Sequence, residues 1–393
     1  MKKAKPLLFL ISVFFISCSQ DKVDVINEMI HQLNQIETVK YEAIFMGIEN
    51  NDLELWNETS TVYFDLRGSV EPDLRYYLLY EDGKQIYNGE ESITVHDVNN
   101  QVIISSPEEI SPYNAISFSL LSLKKVLPML LDNEEVYLSE QSDTIIDGRI
   151  GQNVKFFIEN SYIDWENLTL SKEFGKEEIS SWELSVTIDK NSHLPLLITQ
   201  NREGSNQTWI YKIANVDFNY IETDTELWDK STYSEGYVMY TLDEYMKIGS
   251  DKLASLVGKH IPEQSLSTLI NDLDVDTSKS DGNMVLLEFW FKGCGACKLA
   301  IPSFNSIYEK YRNHDFAMYG VEFVERYPKD VLEAYIVENG KKYPNLFRGK
   351  SLANELGITG APTILILNKK GKIIYANTGF DQGKVSAIIE EYL

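Results

Sequence analysis

The sequence predicts two folded parts of different class: a mainly antiparallel β domain of α+β type, followed by an α/β domain built on one central apolar strand. Three observations predict this. The charge is unevenly divided, because residues 18–249 hold 16 Lys+Arg against 42 Asp+Glu, whereas residues 250–393 hold 17 against 18. The front part is a succession of short runs rich in Tyr, Val, Ile and Thr, separated by turn pairs. The back part alternates helical patterns with apolar runs, the longest of which, MVLLEFWF, is continuous enough for the middle of a sheet. A boundary near residue 250 follows, giving 18–249 and 250–393, each of ordinary domain size.

In the front part, Val25, Ile26, Met29, Ile30, Leu33 and Ile36 are spaced for one apolar face of a helix. Strands are expected at 61–64, 75–80, 92–98, 101–105, 151–159, 181–188, 195–200 and 207–218. Asp82-Gly83, Asn99-Asn100 and Asp147-Gly148 are hairpin signals between them. Ser111-Pro112 is a fair start for a helix over 113–131. The acidic surface, net −26 over 18–249, repels nucleic acid and anionic headgroups, so neither is a ligand for this part.

Residues 1–17 have a basic start, Lys2, Lys3 and Lys5, and an apolar core from Leu7 to Ile16. That layout is a secretory signal, and the core is short for a membrane span. The chain has three cysteines. Cys18 follows directly on the signal and stands apart; if it is modified there, the exported chain keeps two free thiols, Cys294 and Cys297, too few for a disulfide framework. Structural zinc wants four Cys or His ligands, and the five histidines are scattered away from the pair. No metal and no cofactor are therefore expected.

The back part begins with an extended entry at 258–262 and a polar stretch at 271–283. It continues with the apolar strand, a helix from Cys294 to about Tyr311, a strand at 316–324, a helix at 329–339 and a short helix at 351–356. Strands at 364–367 and 372–378 flank a Lys370-Gly371 turn, and a helix at 382–392 closes the chain. Two motif fragments are discounted. Arg348-Gly349-Lys350-Ser351 has Pro344 where a phosphate loop begins with Gly, and the Asp272, Asp274, Asp276 series lacks the turn Gly and closing Glu of a calcium loop.

The β-α-β-α-β-β-α order, together with four motifs, resembles TlpA-like thiol-disulfide oxidoreductases of the thioredoxin superfamily. Phe289-Trp290 precede the site, Cys294-Gly295-Ala296-Cys297 match the CxxC, Ile301-Pro302 match the proline within the first helix, and Gly360-Ala361-Pro362-Thr363 match the loop whose proline is cis. The resemblance covers residues 250–393 and implies the thioredoxin fold. It also implies a redox-active Cys294–Cys297 disulfide, protein thiol or disulfide substrates bound along Trp290, Gly295, Ala296, Gly360, Ala361 and Pro362, and an electron donor in the membrane or periplasm. Two further resemblances concern the front. Phe15-Ile16-Ser17-Cys18 is similar to the lipobox of bacterial lipoproteins, implying lipidation of Cys18 and anchoring on the periplasmic side of a membrane. Helix followed by long meander is similar in layout to the half-barrel of LolA-like carrier domains.

Physical chemistry assigns roles within the motif. A thiol at a helix N-terminus faces unpaired N–H groups that stabilise its thiolate, which makes Cys294 the nucleophile. Cys297, one turn on, shares its face and is placed to resolve a mixed disulfide. Gly293 stands where thioredoxins carry Trp, and Ala296 where the common motif has Pro. Glu288 occupies the position of the buried acid of thioredoxins, as a base for the resolving thiol. It is expected to lack a cation partner, so that Glu288→Gln leaves the fold as stable or more so. The expected function is an exported, lipid-anchored oxidoreductase acting reductively. The alternative is a binding or carrier lipoprotein whose CxxC is a switch or tether, and a one-cysteine peroxidase is disfavoured by the pair itself.

Overall fold

The structure, a computed structural model, describes residues 11–49, 53–67, 74–140, 143–165, 167–172 and 181–393. The chain divides into two compact units, one ending at Leu242 and the other running from Asp243 to Leu393. Residues 1–10 of the expected signal lie outside the described residues. From Ile11 the chain is helical to Asn34, so Cys18 falls on helix backbone. No helix among the described residues is long and apolar enough to cross a membrane.

The front unit is one large sheet. Strand Thr38–Glu49 lies at its centre, with two meanders leaving it in opposite directions. One runs through Leu53–Asp65, Arg75–Tyr80, Gly83–Tyr87, Ser92–His96 and Gln101–Ser105, and the other through Gln207–Phe218, Pro195–Arg202, Trp182–Asp189, Arg149–Ile158 and Val136–Glu140. All these pairings are antiparallel; Val238–Thr241 adds an edge strand parallel to Gln101–Ser105. Asp147 and Gly148 both take positive φ between paired Ile146 and Arg149, the geometry a two-residue hairpin of this kind requires.

Ile26, Met29 and Leu33 of the first helix join Leu123, Val126 and Leu127 of helix Leu120–Leu131 over one sheet face. Ser119 caps that second helix by accepting a hydrogen bond from the Ser122 N–H. The expected helix over 113–131 is thus split, with a short 3-10 turn Asn114–Ile116 ahead of it. Against the other face, Tyr233 joins Tyr63, Tyr77 and Ile93, with Tyr220 and Trp228 packed beside them.

The back unit holds a five-stranded sheet in the order Asn345–Leu346, Phe316–Glu322, Met284–Trp290, Thr363–Leu367, Ile373–Thr378. The first three strands are parallel, and the last two run antiparallel to their neighbours. Strand parity sorts the packing. Met284 and Leu286 pack under Ala300, Phe304 and Ile307 of helix Gly295–Tyr311 and Val385 and Ile389 of helix Gln382–Tyr392. Val285, Leu287 and Phe289 face Leu352, Ala353 and Leu356 of helix Lys350–Leu356. The polar stretch 271–283 is not all loop, since Asp274–Asp276 pairs with Ser265–Ser267 as a small hairpin.

Candidate active site

Strand Met284–Trp290 is buried at every position, so it must emerge from the sheet before its chain can reach solvent. It does so through Phe291 to Gly293. Gly293 has φ +97°, a left-handed value that suits glycine, and its open Cα side lies 4.0 Å, measured from a built Cβ, from the Tyr327 hydroxyl. Cys294 then caps helix Gly295–Tyr311, its Sγ accepting from the Cys297 N–H at 3.1 Å. The two cysteines form a disulfide, with Cα atoms 5.2 Å apart. Cys294 is 7% exposed and Cys297 2%, so the sulfur nearer solvent is the one at the helix N-terminus. Gly295 and Ala296 between them are exposed.

The register brings a second segment to the same end of the sheet. Phe289 pairs with Thr363, so the loop before Thr363 lies beside the strand end that leads to Cys294. The Ala361–Pro362 peptide is cis. The loop is fixed by its own hydrogen bonds: Thr363 Oγ1 donates to the Gly360 carbonyl at 2.7 Å, and the Gly379 N–H donates to the Pro362 carbonyl at 2.7 Å. Gly360 and Ala361 are half-buried and Pro362 is buried.

Two expectations about the strand require correction. Trp290 is fully buried, stacked on Tyr335 with ring centroids 5.5 Å apart, so it forms the floor of the site and offers no surface to a substrate. Gly320 on the neighbouring strand makes room for it, because a Cβ there would meet Trp290 Nε1 at 2.8 Å and Asn345 Oδ1 at 2.2 Å. Glu288 is fully buried as expected, yet it has a cation partner: Lys341 Nζ lies 3.1 Å from Oε2, and the Tyr343 hydroxyl donates to the same oxygen at 2.5 Å. Lys341 also sits 3.8 Å from the centre of the Trp290 ring. An ion of each sign withdrawn from water needs the other.

Burial pushes the Glu288 carboxyl up, while Lys341 and the Tyr343 hydrogen bond pull it back. Burial likewise pulls Lys341 down to about 8, against the opposing pull of Glu288. Among the described residues the other carboxylate oxygen, Oε1, has no hydrogen-bond partner. Glu288 shares strand parity with Met284 and Leu286, so it belongs to the face covered by the cysteine helix, and Tyr343 packs on Phe304 of that helix at 6.2 Å. A second buried acid, Glu322, pairs in register with Trp290 and accepts from the Val324 and Glu325 N–H groups. Among the described residues, no cluster of three His, Cys, Asp or Glu is arranged to hold a metal ion.

Sequence reading missed Lys341, Tyr343 and Glu322. The first two come from the connection after helix Lys329–Glu338, and no local pattern in Gly340-Lys341-Lys342-Tyr343 reports a partner on a distant strand.

An apolar-cored α/β sheet with a CxxC disulfide at a helix N-terminus and a buried carboxylate on the same sheet face is the arrangement of a catalyst of thiol-disulfide exchange. Comparison with known proteins agrees. Residues 256–392 match the Redoxin family. Thiol-disulfide oxidoreductase ResA of Halalkalibacterium halodurans is 24% identical over 135 residues, covering 33% of this chain and 74% of that protein. Sporulation thiol-disulfide oxidoreductase A of Bacillus subtilis is 29% identical over 115 residues, covering 29% of this chain and 69% of the other. The crystal structure of StoA from Bacillus subtilis is 25% identical and covers 32% of this chain and 95% of that one; its TM-score, 0.29, is too low to add to the strand order described above. The back unit has the thioredoxin-like fold, and the protein is a thioredoxin-like disulfide oxidoreductase.

Proposed function

We propose that the protein is an exported, TlpA-like reductase anchored through a lipid on Cys18, in which Cys294 attacks, Cys297 resolves and Glu288 handles the proton. In the reductive direction the Cys294 thiolate attacks a substrate disulfide, forming a mixed disulfide and releasing one substrate thiolate. Cys297, deprotonated by Glu288, then attacks Cys294 Sγ and expels the second substrate thiolate. Two electrons pass to the substrate, and the Cys294–Cys297 disulfide is left to be reduced by a donor. The exposed Gly295 and Ala296 and the loop Gly360–Ala361–Pro362 are the surface along which a substrate segment would lie.

The observation that carries this reading is the position of Cys294 at the helix N-terminus, more exposed than Cys297, with the free Oε1 of Glu288 on the same face of the sheet. The signal-like start and the Phe15-Ile16-Ser17-Cys18 sequence support export and anchoring. The helix-then-meander layout supports a LolA-like origin for the front unit, and the charge step near residue 250, close to the division after Leu242, supports reading each unit as a separate domain. Equilibration of the pair with glutathione tests the direction. A potential near about −270 mV is expected for a reductase, and one near about −120 mV overturns the reductive assignment.

A further inference from the structure

The front unit contains a cavity of about 300 Å³ between the sheet and the segment 114–119. Much of its wall is aromatic, and the segment over it contributes the polar Asn114, Ser117 and Ser119. Phe45 projects from the central strand with its ring 5.9 Å from Phe118, 6.0 Å from Tyr211 and 6.5 Å from Trp209, and Phe118 lies 5.0 Å from Trp165. The polar atoms of two of these rings are already engaged elsewhere. The Tyr211 hydroxyl is paired with that of Tyr41 at 2.9 Å, and Trp165 Nε1 donates to Gln200 Oε1 at 2.8 Å. What these rings present to the cavity is therefore apolar.

Phe118 has φ +66° and is nearly fully buried. A bulky side chain in the left-handed region is uncommon and strained, and such residues persist where the surroundings hold them for a purpose. The cavity is open to solvent at Glu58 and Trp209, and its 300 Å³ falls at the lower end of ligand sites. It suits an apolar body on the order of ten heavy atoms.

The lining also sets the charge of the occupant. Glu58 and Tyr80 line the cavity, and Glu58, opposite Phe45 in the strand register, is exposed. Among the described residues no cation pairs with Glu58. Although Glu58 is exposed, the desolvation its carboxyl does have raises it from the usual carboxylate value. The surrounding unit is strongly acidic, with 42 Asp+Glu over 18–249. An anion entering here meets like charge at the lining and across the surface.

We propose that this cavity is a binding site for a small aromatic or branched apolar molecule that is neutral or carries one positive charge, a function separate from disulfide exchange. Glu58 faces the polar end of the ligand, and the Phe45, Phe118, Trp165 and Trp209 rings enclose its body.

Isothermal titration of the full-length protein at about 150 mM salt, where long-range attraction is screened, tests this with three molecules of one shape: indole, tryptamine and indole-3-acetate. Tryptamine and indole are expected to bind, with indole-3-acetate at least about tenfold weaker than tryptamine. Ala115→Phe, which fills the cavity from the 114–119 segment, should abolish binding of all three in a protein that keeps its circular dichroism and unfolding temperature. Glu58→Gln, at an exposed residue, should bring tryptamine down to the affinity of indole and leave indole unchanged. The proposal is overturned by no binding of indole or tryptamine at millimolar concentration, or by undiminished binding to a folded Ala115→Phe. Equal affinity for tryptamine and indole-3-acetate, or a Glu58→Gln protein that keeps the wild-type preference for tryptamine, overturns it as well.

Discussion

At the scale of single residues, the buried Glu288–Lys341 pair is where the proposed proton transfer can be tested. Sequence reasoning placed Glu288 on the central strand and recognised it as buried, because Val285, Leu286, Leu287, Phe289 and Trp290 leave no solvent face. It could not see Lys341, which is 53 positions away in sequence and announced by nothing local. The consequence for stability reverses. Glu288→Gln leaves the Lys341 charge buried without its counter-ion, so the variant should lose about 3 kcal/mol in chemical denaturation, with part regained in Glu288→Gln/Lys341→Met. In stopped-flow tryptophan fluorescence the same variant should resolve mixed disulfides on the order of 10²-fold more slowly, with the first attack by Cys294 little changed. Equal resolving rates across pH 6 to 9 would assign the proton to another group.

The pH dependence has a definite sign. Lys341 has a folded pKa of about 8, below its unfolded value of about 10.4, so between these limits the unfolded chain binds more protons. Wild-type stability should therefore rise with pH across that window, with the destabilisation fully present below pH 8. Unfolding curves of Lys341→Met should lack the rise. An identical slope in the two proteins would mean that Lys341 does not titrate there.

At the scale of elements, the connection 340–343 carries Lys341 and Tyr343 to Glu288, and Asn305 of the cysteine helix holds it. Asn305 Nδ2 donates to the Gly340 carbonyl at 2.8 Å, and its Oδ1 accepts from the Lys342 N–H at 2.9 Å. Asn305→Ala should lower stability by about 1 kcal/mol, measured by urea denaturation. It should also raise hydrogen exchange at Lys342, and unchanged protection there would show that the connection is held by its own packing.

From Met284 on, most elements of the back unit were legible because each obeys one rule: a continuous apolar run for a central strand, one apolar stripe per helix, a Gly or Pro at each break. Helix Leu242–Ala254, the Ser265–Ser267 hairpin and the two-residue strand Asn345–Leu346 were too polar or too short to show one. The front unit was legible in its hairpins and opaque at its centre. Strand Thr38–Glu49 escaped because Lys40 and Glu42 alternate with Val39, Tyr41 and Ala43, but beyond Ala43 both faces turn apolar and Gly47 interrupts the run. Gly47 is there for packing, since a Cβ would meet Trp56 Nε1 at 2.6 Å. The second face of the sheet was missed for a different reason. Tyr220, Trp228 and Tyr233, which cover it, lie in a segment with no strand or long-helix period.

At the scale of the whole molecule, the acidic front unit and the nearly neutral back unit are built around separate cores. If the lipid anchor is at Cys18, Cys18→Ser should move the full-length protein from the membrane fraction to the soluble one without changing its insulin reduction, and unchanged fractionation would contradict anchoring there. The proposed thiol chemistry turns on one distinction, attack by Cys294 and resolution by Cys297. Full-length Cys297→Ser, alkylated after mixing with disulfide-bonded protein substrates, measures it most directly. The account predicts adducts that are released by dithiothreitol and absent from Cys294→Ser/Cys297→Ser. Equal adducts in the double variant, or full insulin reduction by Cys294→Ser alone, would contradict it.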